Sequence, residues 1–504
     1  MKTFFRLLAL LLVFLLCVGF LGGCNGGGET DATTETSTTT EAPQERLLKL
    51  PYAKADSLNP YKAESMINIQ LSTLLYDCLF RPDAKYNAVP VMAADYTAEG
   101  LNLTVKLKTG IVFTDGTSLT ADDVVYSFKQ AQTAPTYSAR LLNFTAVKML
   151  DALSVVFTLR SPEPYALNCL TFPIMKNGDT ADIPAGSGRY TLTEESGKTT
   201  LAANAARLGG FSPQIKSIAL VAISDSDTLN YALQIGNIDF AFTDLSSGSY
   251  RRINASSIGV GLNNLVFLGF NSASANLQHA DVRQAISLLI DRKTVATTAF
   301  QGHARAAFTP FNPDFAGITG YDFVPDTINA VQLLEQAGFT KFKDNGIRYS
   351  GYNTTLDFNL LVNADNAFKV EAVKQIVQEL MEAGIKVTVT SLDFNAYSAA
   401  VQSRKFDLYL GELMLTPDMS LNPLLAPGGS VSYGINTAGE SGAAYRLYKD
   451  GTIDLKGFID VFSVDMPFVP LCYRNGIAAY SRELKVPQKC NASDVYSDID
   501  AWTF

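Results

Sequence analysis

One strand, helix and strand segment in the second half of the chain constrains the fold more than any other feature. Leu356–Val362 and Ile385–Leu392 are apolar runs of strand length, and a helix is predicted between them over Lys369–Ala383. Gly384 stands where glycine commonly ends a helix. One face of this helix carries Val370, Val373, Ile376, Val377 and Leu380. A strand, helix and strand at this spacing require parallel strands, so an α/β fold is predicted.

A second strand and helix segment begins at residue 265. Leu265–Phe270 has the pattern of a buried strand and is bounded by Asn271. After a loop, apolar residues recur at helical spacing from Val282, and Asp281 stands at the start, where a helix favours an acidic residue. Residues 218–241 also read as strand, helix and strand, and they predict a further βαβ unit.

Residues 119–128 predict a capped helix start. Thr120 stands at the N-cap position and Asp123 follows three residues later, which is close to a capping box. The adjacent acids Asp122 and Asp123 could also suggest acid–base catalysis, but neighbouring residues of a helix point apart. We therefore interpret both acids as stabilising the positive end of the helix dipole.

The length and charge of the chain limit the classes of protein to which it can belong. A chain of 504 residues is too long for one compact core, so two or three domains are expected. Its net charge of −9 argues against nucleic acid as a partner, because phosphates would not attract it over long range. The 47% of apolar residues is typical of a globular protein.

The amino terminus has the pattern of a secreted lipoprotein. Lys2 and Arg6 precede an apolar run over 7–21 that is short for a membrane span and ends in Gly-Gly-Cys24, which resembles a bacterial lipobox. We predict a signal peptide over residues 1–23 and lipidation of Cys24; the alternative is an uncleaved anchor helix. Residues 24–46 are predicted to be a disordered tether, because they contain few bulky apolar side chains.

The sequence offers no constellation of catalytic or metal-binding residues. His279 and His303 are the only histidines, and no HExxH, CxxC or Gly-x-Ser-x-Gly pattern occurs. We therefore predict that the protein is not an enzyme and uses no cofactor and no metal. Cys78 and Cys169 are expected to be buried thiols, and Cys472 and Cys490 are either buried thiols or a pair.

Two longer strings resemble a known family. One is Phe-Asn-Ser at 270–272 followed by Asp-Val-Arg-Gln-Ala-Ile-Ser-Leu-Leu-Ile-Asp-Arg at 281–292. The other is F-x-D-G-x-x-L-T-A-D-D-V-V-Y-S-F at 113–128. Both are similar to signatures of the substrate-binding proteins of ABC importers, in the oligopeptide, dipeptide and nickel class called family 5. Weaker similarities extend the resemblance over nearly all of residues 47–504.

The resemblance implies a two-lobed α/β fold of the periplasmic-binding-protein type II, class C, with an extra α+β subdomain in the first lobe. Lobe I is expected to comprise 47–78, 189–268 and 467–504, with the subdomain at 79–188 and lobe II at 269–466. In this family the ligand lies in the cleft between the lobes. Linkers near Phe270 and Met466 would absorb the rotation when the cleft closes.

The resemblance also implies ligand-binding residues, and the chain departs from the family at two of them. Peptide-binding members carry an aspartate beyond a Gly-Trp pair; here Glu412 replaces the tryptophan, Leu415 occupies the place of the aspartate, and Asp418 follows. Dipeptide-binding members also carry an arginine after a strand, and residues 363–368 contain none. The predicted ligand-binding residues are Asn59, Tyr61, Arg189, Tyr190, Asn271, Asn363, Asp365, Asn366, Glu412, Asp418 and Tyr433.

These departures favour a solute with hydroxyl groups or positive charge over a dipeptide held at both ends. We expect an extracytoplasmic, lipid-anchored monomer at the cell membrane. It would capture a small polar or peptide-like solute and deliver it to an ABC permease. Two alternatives remain open: a sensor or adhesin of the same fold that serves no transporter, and an extracytoplasmic hydrolase.

Overall fold

The structure is a computed structural model that describes residues 46–195, 197–224, 226–252, 254–487 and 491–504. The predicted signal peptide, Cys24, the tether before Arg46 and Cys490 lie outside the described residues. Residues from Leu47 to Phe504 form one structural unit. Among the described residues, no helix combines the length and the apolar character that a membrane span requires.

The strands of this unit are numbered along the chain. They are β1 (Leu48–Tyr52), β2 (Phe80–Pro82), β3 (Ala88–Pro90), β4 (Ala93–Glu99), β5 (Asn102–Leu107), β6 (Phe144–Asp151), β7 (Ser154–Leu159), β8 (Tyr190–Glu195), β9 (Lys198–Ala203), β10 (Ser217–Ala222), β11 (Phe240–Thr243), β12 (Ser256–Phe270), β13 (Ala304–Ala306), β14 (Lys341–Phe342), β15 (Arg348–Tyr349), β16 (Asp357–Asn363), β17 (Lys386–Leu392), β18 (Leu408–Met414) and β19 (Phe468–Tyr480).

The α-helices are numbered in the same way. They are α1 (Met66–Leu75), α2 (Ala121–Thr133), α3 (Pro135–Ser138), α4 (Ser226–Gln234), α5 (Ala280–Leu289), α6 (Arg292–Thr294), α7 (Thr327–Gln336), α8 (Ala367–Glu382), α9 (Phe394–Gln402), α10 (Asn422–Leu425), α11 (Glu440–Lys449) and α12 (Leu455–Asp465). The predicted cap of α2 is confirmed, because Thr120 N and Oγ1 donate to Asp123 Oδ2 at 2.7 and 3.0 Å.

A seven-stranded sheet forms the centre of the unit. Its order is β11-β19-β12-β18-β16-β17, and β13 pairs with β19 off this path. β16 is parallel to both β17 and β18, so the predicted strand, helix and strand unit around α8 is confirmed. The remaining pairs in this sheet are antiparallel. The fold is a mixed, two-lobed α/β fold.

Two long strands run side by side through this sheet. Residues Ser256–Gly261 of β12 pair with β19 from Tyr480 to Asn475, and pairing resumes at Leu265 opposite Tyr473. The intervening residues 262–264 are out of register, so the ladder is interrupted between its two halves. β11 adds to the first half and β18 to the second. The strands β12 and β19 therefore join two parts of the protein through a ladder with two register shifts, the longer one at residues 262–264 and a second between Val266 and Phe267.

Two four-stranded sheets lie outside the central one. One has the order β1-β10-β9-β8, and the other, β4-β5-β7-β6, is antiparallel. The predicted βαβ unit over 218–241 is wrong, because β10 pairs with β1 whereas β11 pairs with β19 in the central sheet. Asp239, the residue before β11, links that strand to β1. Its backbone amide donates to Lys49 O at 2.8 Å, and its carboxylate accepts from Lys49 N at 2.9 Å.

Buried apolar side chains form three clusters. The largest surrounds the central sheet. The second is confined to residues 79–174, within the predicted extra subdomain. The third unites 48–76, 175–260 and 478–502, and it includes the fully buried Trp502. Segments far apart in the sequence thus share one core.

Candidate functional site

The predicted extra subdomain contacts the part of the chain built on the central sheet along one surface. Asn168 Nδ2 donates to Tyr86 O at 2.6 Å on its own side and to Pro417 O at 3.2 Å across the surface. Ala316 N donates to Lys85 O at 3.0 Å, also across it. We call this surface the cleft interface. It comprises residues 83–86 and 163–169 on one side, and 312–316, 417–421 and 445–449 on the other.

Asp418 brings a buried carboxylate to the cleft interface. β18 ends at Met414, and the turn that follows holds Asp418 only 8% exposed. The Thr416 hydroxyl and the Ser420 amide donate to it, and the Cys169 thiol contacts it from the opposite side. Burial is the largest influence on the pKa of Asp418 and raises it, although the hydrogen bonds from Thr416, Ser420 and Cys169 act to lower it. Such a carboxylate would be stabilised by a cationic or hydrogen-donating solute group.

Lys449, the last residue of α11, brings a cation to the same interface. Its ammonium forms an ion pair with Glu163 of the opposite side, and the two side chains are 13% and 2% exposed. Lys449 Nζ also lies 5.9 Å from the centroid of the Tyr445 ring. Beside this pair, Tyr165 packs edge-on against Phe315 at 4.6 Å. The cleft interface therefore combines opposite charges with aromatic walls, as binding sites for small solutes commonly do.

Asn312 connects the cleft interface to the interrupted strand pairing. Its Nδ2 lies 3.0 Å from Tyr86 Oη, 3.1 Å from Leu262 O and 3.0 Å from Asn263 Oδ1, and it donates to these oxygens. Its Oδ1 accepts from Arg305 at 3.0 Å. Because Asn312 is bonded to both, a movement of residues 262–263 would be transmitted through Asn312 to Tyr86 of the extra subdomain.

Glu412 lies on β18 within a cluster of charges beside the crossing strands. Arg474 Nε lies 2.6 Å from its Oε1, Lys369 Nζ 2.8 Å from its Oε2, and Asn264 Nδ2 2.9 Å from its Oε1. Burial alone would raise the pKa of Glu412, but Lys369 and Arg474 outweigh burial and lower it. Arg474 also donates to Asp244 O at 2.7 Å. Both carboxylate oxygens have protein donors, so Glu412 is not free for a solute.

The structure places Arg189 and Tyr190 inside the third apolar cluster. Arg189 forms an ion pair with Asp494 at 2.7 Å and donates to Thr73 O at 3.0 Å. Tyr190, which is fully buried, donates its hydroxyl to Ile215 O at 2.7 Å. The Arg189 Nη atoms and the Tyr190 hydroxyl are bonded to other groups of the protein, so the placement of these residues does not support the predicted contact with a ligand.

Asn59 and Tyr61 have contacts that hold a turn. Asn59 Oδ1 accepts from Tyr61 N at 3.0 Å, which is an Asx turn. The Tyr61 hydroxyl donates to Pro173 O, and its ring packs edge-on against Tyr137 at 5.6 Å. Both residues therefore fasten the segment before α1 to the extra subdomain.

Most of the remaining predicted residues lie at the ends of strands, whereas Tyr433 lies in the segment between α10 and α11. Asn271 Nδ2 donates to Phe406 O at 2.9 Å. The backbone N–H of Asp365 donates to Asn363 Oδ1 at 3.1 Å, and Asp365 Oδ2 accepts from Phe394 N at 2.8 Å. Asn366 is the N-cap of α8, and its side-chain oxygen accepts from Lys369 N at 3.1 Å. Tyr433 is half-buried against the largest apolar cluster.

Of the predicted ligand-binding residues, Asp418 is the one that lies within the cleft interface, in the range 417–421. The other residues of that interface were not predicted, and among them are Tyr86, Glu163, Cys169 and Lys449. No sequence motif marks them, because each is brought to the site by long-range folding. Among the described residues there is no group of three or more His, Cys, Asp or Glu side chains that could hold a metal ion.

The sequence profile named "Bacterial extracellular solute-binding proteins, family 5 Middle" matches residues 87–432. The glutathione-binding protein GsiB of Escherichia coli K12 is 25% identical over 481 residues, covering 85% of this chain and 89% of the relative.

Two solved structures share the fold. An ABC transporter substrate-binding protein from Sinorhizobium meliloti has a TM-score of 0.70 at 20% identity, covering 90% of this chain and 99% of that one. The nickel ABC transporter protein from Bacillus halodurans has a TM-score of 0.71 at 18% identity, covering 88% and 96%. The chain is therefore similar to these proteins over nearly its whole length.

Proposed function

The chain belongs to the bacterial extracellular solute-binding proteins of family 5, and from this premise we propose that it holds its solute at the cleft interface. Proteins of this kind capture a small solute and deliver it to an ABC importer, and this chain does the same. The observation that carries the proposed location is Asp418, a buried carboxylate that contacts Cys169 of the opposite side and has no ion-pair partner among the residues that the structure describes. Solute binding, not covalent chemistry, is the role that this arrangement serves.

The mechanism we propose is closure about a hinge at residues 262–264. The interrupted pairing of β12 and β19 at this point supports it, because an irregular ladder can bend where a regular one resists. The lobes would follow the predicted segments 47–78, 189–268 and 467–504 against 269–466, with 79–188 moving as part of the first. A hinge at 262–264 would shift residues 265–268 and the paired residues 468–473 of β19 to the second lobe. Solute shifts the population toward the closed form by binding that form more tightly. The proposed hinge therefore lies on the N-terminal side of Phe270, near which the sequence predicted a linker.

The solute class that fits Asp418 has an ammonium or another hydrogen-donating group. The relative from Escherichia coli is described as binding glutathione, a peptide-like molecule with such a group. The protein from Bacillus halodurans is described as a nickel transporter component. The buried carboxylate of Asp418 and the glutathione named for the Escherichia coli relative together support a peptide-like or polar organic solute.

Replacement of Asp418 by asparagine should weaken solute binding by about 10- to 100-fold, because a charge-assisted hydrogen bond is lost from a buried site. Solutes retained through native purification would be identified by mass spectrometry, and their affinity would be measured by calorimetry, with glutathione as a further probe. The matched control is Glu371→Gln, since the Glu371 side chain is 55% exposed on α8. Equal affinity of the Asp418 variant and the control would refute this location.

We further propose that Cys24 carries lipid and that the folded part acts as a monomer near its permease. The Gly-Gly-Cys ending of the apolar run supports the anchor. Membrane fractionation of the Cys24→Ser variant tests it: the variant should appear in the medium or periplasm, and retention in the membrane would argue against lipidation.

A further inference from the structure

Asn312 lies between the proposed hinge and the extra subdomain, and its side-chain nitrogen has more acceptors than hydrogens. Its Nδ2 lies 3.1 Å from Leu262 O, 3.0 Å from Asn263 Oδ1 and 3.0 Å from Tyr86 Oη. An asparagine amide carries two hydrogens on its nitrogen, so these three oxygens must share them. The Tyr86 hydroxyl therefore competes with the two hinge oxygens for one donor.

The amide group of Asn312 is held in place by the groups that face its oxygen. Asn312 is fully buried, and its Oδ1 accepts from Arg305 Nη2 at 3.0 Å and from Asp314 N at 3.0 Å. Arg305 in turn forms an ion pair with Asp314. Gly261 lets the guanidinium lie against the hinge, because a Cβ there would come within 2.9 Å of Arg305 Nη2. The donor thus keeps its orientation while its acceptors can move.

The Tyr86 side of this contact is a preformed hairpin tip. Residues 83–87 join β2 to β3, and Asp83 Oδ1 accepts from two N–H groups of the tip at 2.8 and 2.9 Å. Tyr86 has a φ of 60°, in the left-handed region that is unfavourable for a residue with a side chain. Ala316 N donates to Lys85 O at 3.0 Å. The tip therefore meets the opposite side through one backbone carbonyl and one tyrosine hydroxyl.

We propose that Asn312 is a positioning residue for closure, which divides its two hydrogens between the hinge and Tyr86, so that the bend at 262–263 sets how firmly the hairpin tip is held. This inference rests on the proposed function and adds a means by which the hinge controls one contact of the cleft interface. While both hinge oxygens are bonded, the Tyr86 hydroxyl receives a shared hydrogen. A bend that removes one hinge oxygen frees a hydrogen and strengthens the bond to Tyr86. All of these bonds join groups of the protein, so they act on the empty protein as well.

The exchange rate of the Ala316 amide reports this contact on the full chain without added solute. Its N–H is donated across the cleft interface, whereas the Ala307 amide donates to Leu471 O at 3.0 Å within the second lobe. Hydrogen–deuterium exchange of single amides, read by mass spectrometry with electron-transfer fragmentation, measures how often each bond opens. Parting of the lobes predicts faster exchange at Ala316 than at Ala307 in the wild type.

Two variants should move the Ala316 rate in opposite directions. Tyr86→Phe removes the hydroxyl and should speed exchange at Ala316 by about three- to tenfold, with no change at Ala307. Asn263→Ala removes one competing oxygen, so exchange at Ala316 should slow by about two- to threefold. The matched control is Tyr96→Phe, which should change neither rate, because Tyr96 is 47% exposed on β4.

The outcomes separate this inference from the proposed function. If Ala316 exchanges no faster than Ala307 in the wild type, the lobes do not part, and closure fails together with the inference. If Ala316 exchanges faster but Tyr86→Phe leaves its rate unchanged, or changes the Ala307 rate by the same factor, the inference alone is overturned. An equal or faster Ala316 rate in Asn263→Ala would also overturn it, since the hinge oxygen would then not compete with Tyr86.

Discussion

Replacement of Asp494 by asparagine is expected to lower the free energy of unfolding by about 3–5 kcal/mol. The Asp494 carboxylate lies 2.7 Å from Arg189 and 3.4 Å from Arg81, and its side chain is 1% exposed. It also accepts from the Thr73 hydroxyl at 2.8 Å. Without this carboxylate, two guanidinium groups would stay buried with their main counter-charge removed, which costs far more than the loss of a surface pair.

Urea denaturation followed by fluorescence measures this loss. Trp502 is the only tryptophan in the chain. The centroid of its ring system lies 4.8 Å from that of Phe240 and 6.0 Å from that of Tyr496. Trp502 belongs to the same apolar cluster as Tyr190, the residue next to Arg189. The control is Asp460→Asn, which removes an exposed pair with Lys456 and should cost at most about 1 kcal/mol. A decrease in unfolding free energy below about 1 kcal/mol for Asp494→Asn would contradict the role of Asp494 as the main counter-charge of Arg189.

Replacement of Glu412 by glutamine is expected to cost about 3 kcal/mol of unfolding free energy at neutral pH. The change leaves Arg474 and Lys369, whose side chains are 4% and 13% exposed, close together without their shared carboxylate. Because these residues flank the crossing strands, the loss should appear in the unfolding of the whole unit. Unfolding in urea at pH 7 measures it against Glu371→Gln, an exposed glutamate on α8.

The same variant carries a specific pH dependence. The pKa of Glu412 is lowered in the folded protein: burial opposes this, but Lys369 and Arg474 prevail. A carboxylate with a lowered pKa stabilises the fold fully above its ordinary value of 4.5 and loses that contribution as the pH falls through the folded value. The gap in stability between wild type and Glu412→Gln should therefore narrow as the pH falls below 4.5. A gap that is constant from pH 7 to pH 3 would contradict the ion-pair cluster.

Much of the architecture follows from local patterns that the sequence displays. The apolar face of α8 and the flanking runs predicted a parallel pair, and β16 with β17 is such a pair. Thr120 and Asp123 predicted the cap of α2. These predictions succeed because periodicity and capping depend on residues within one or two turns of each other.

Partners far apart in the chain could not be predicted in this way. Arg189 is among the ligand-binding residues that the resemblance implied, yet its counter-charge Asp494 lies 305 positions later. Glu163 and Lys449 meet across 286 positions. The assignment of β10 and β11 to one βαβ unit failed for the same reason, since the partner of each strand is set by distant segments.

The central claim, that two lobes close on a solute about residues 262–264, is tested most directly by small-angle X-ray scattering of the purified protein. Scattering would be recorded without solute and at saturation with a tightly binding one. Closure predicts a smaller radius of gyration at saturation, and the same decrease for every tight binder. An unchanged radius of gyration with each of them would contradict hinge closure.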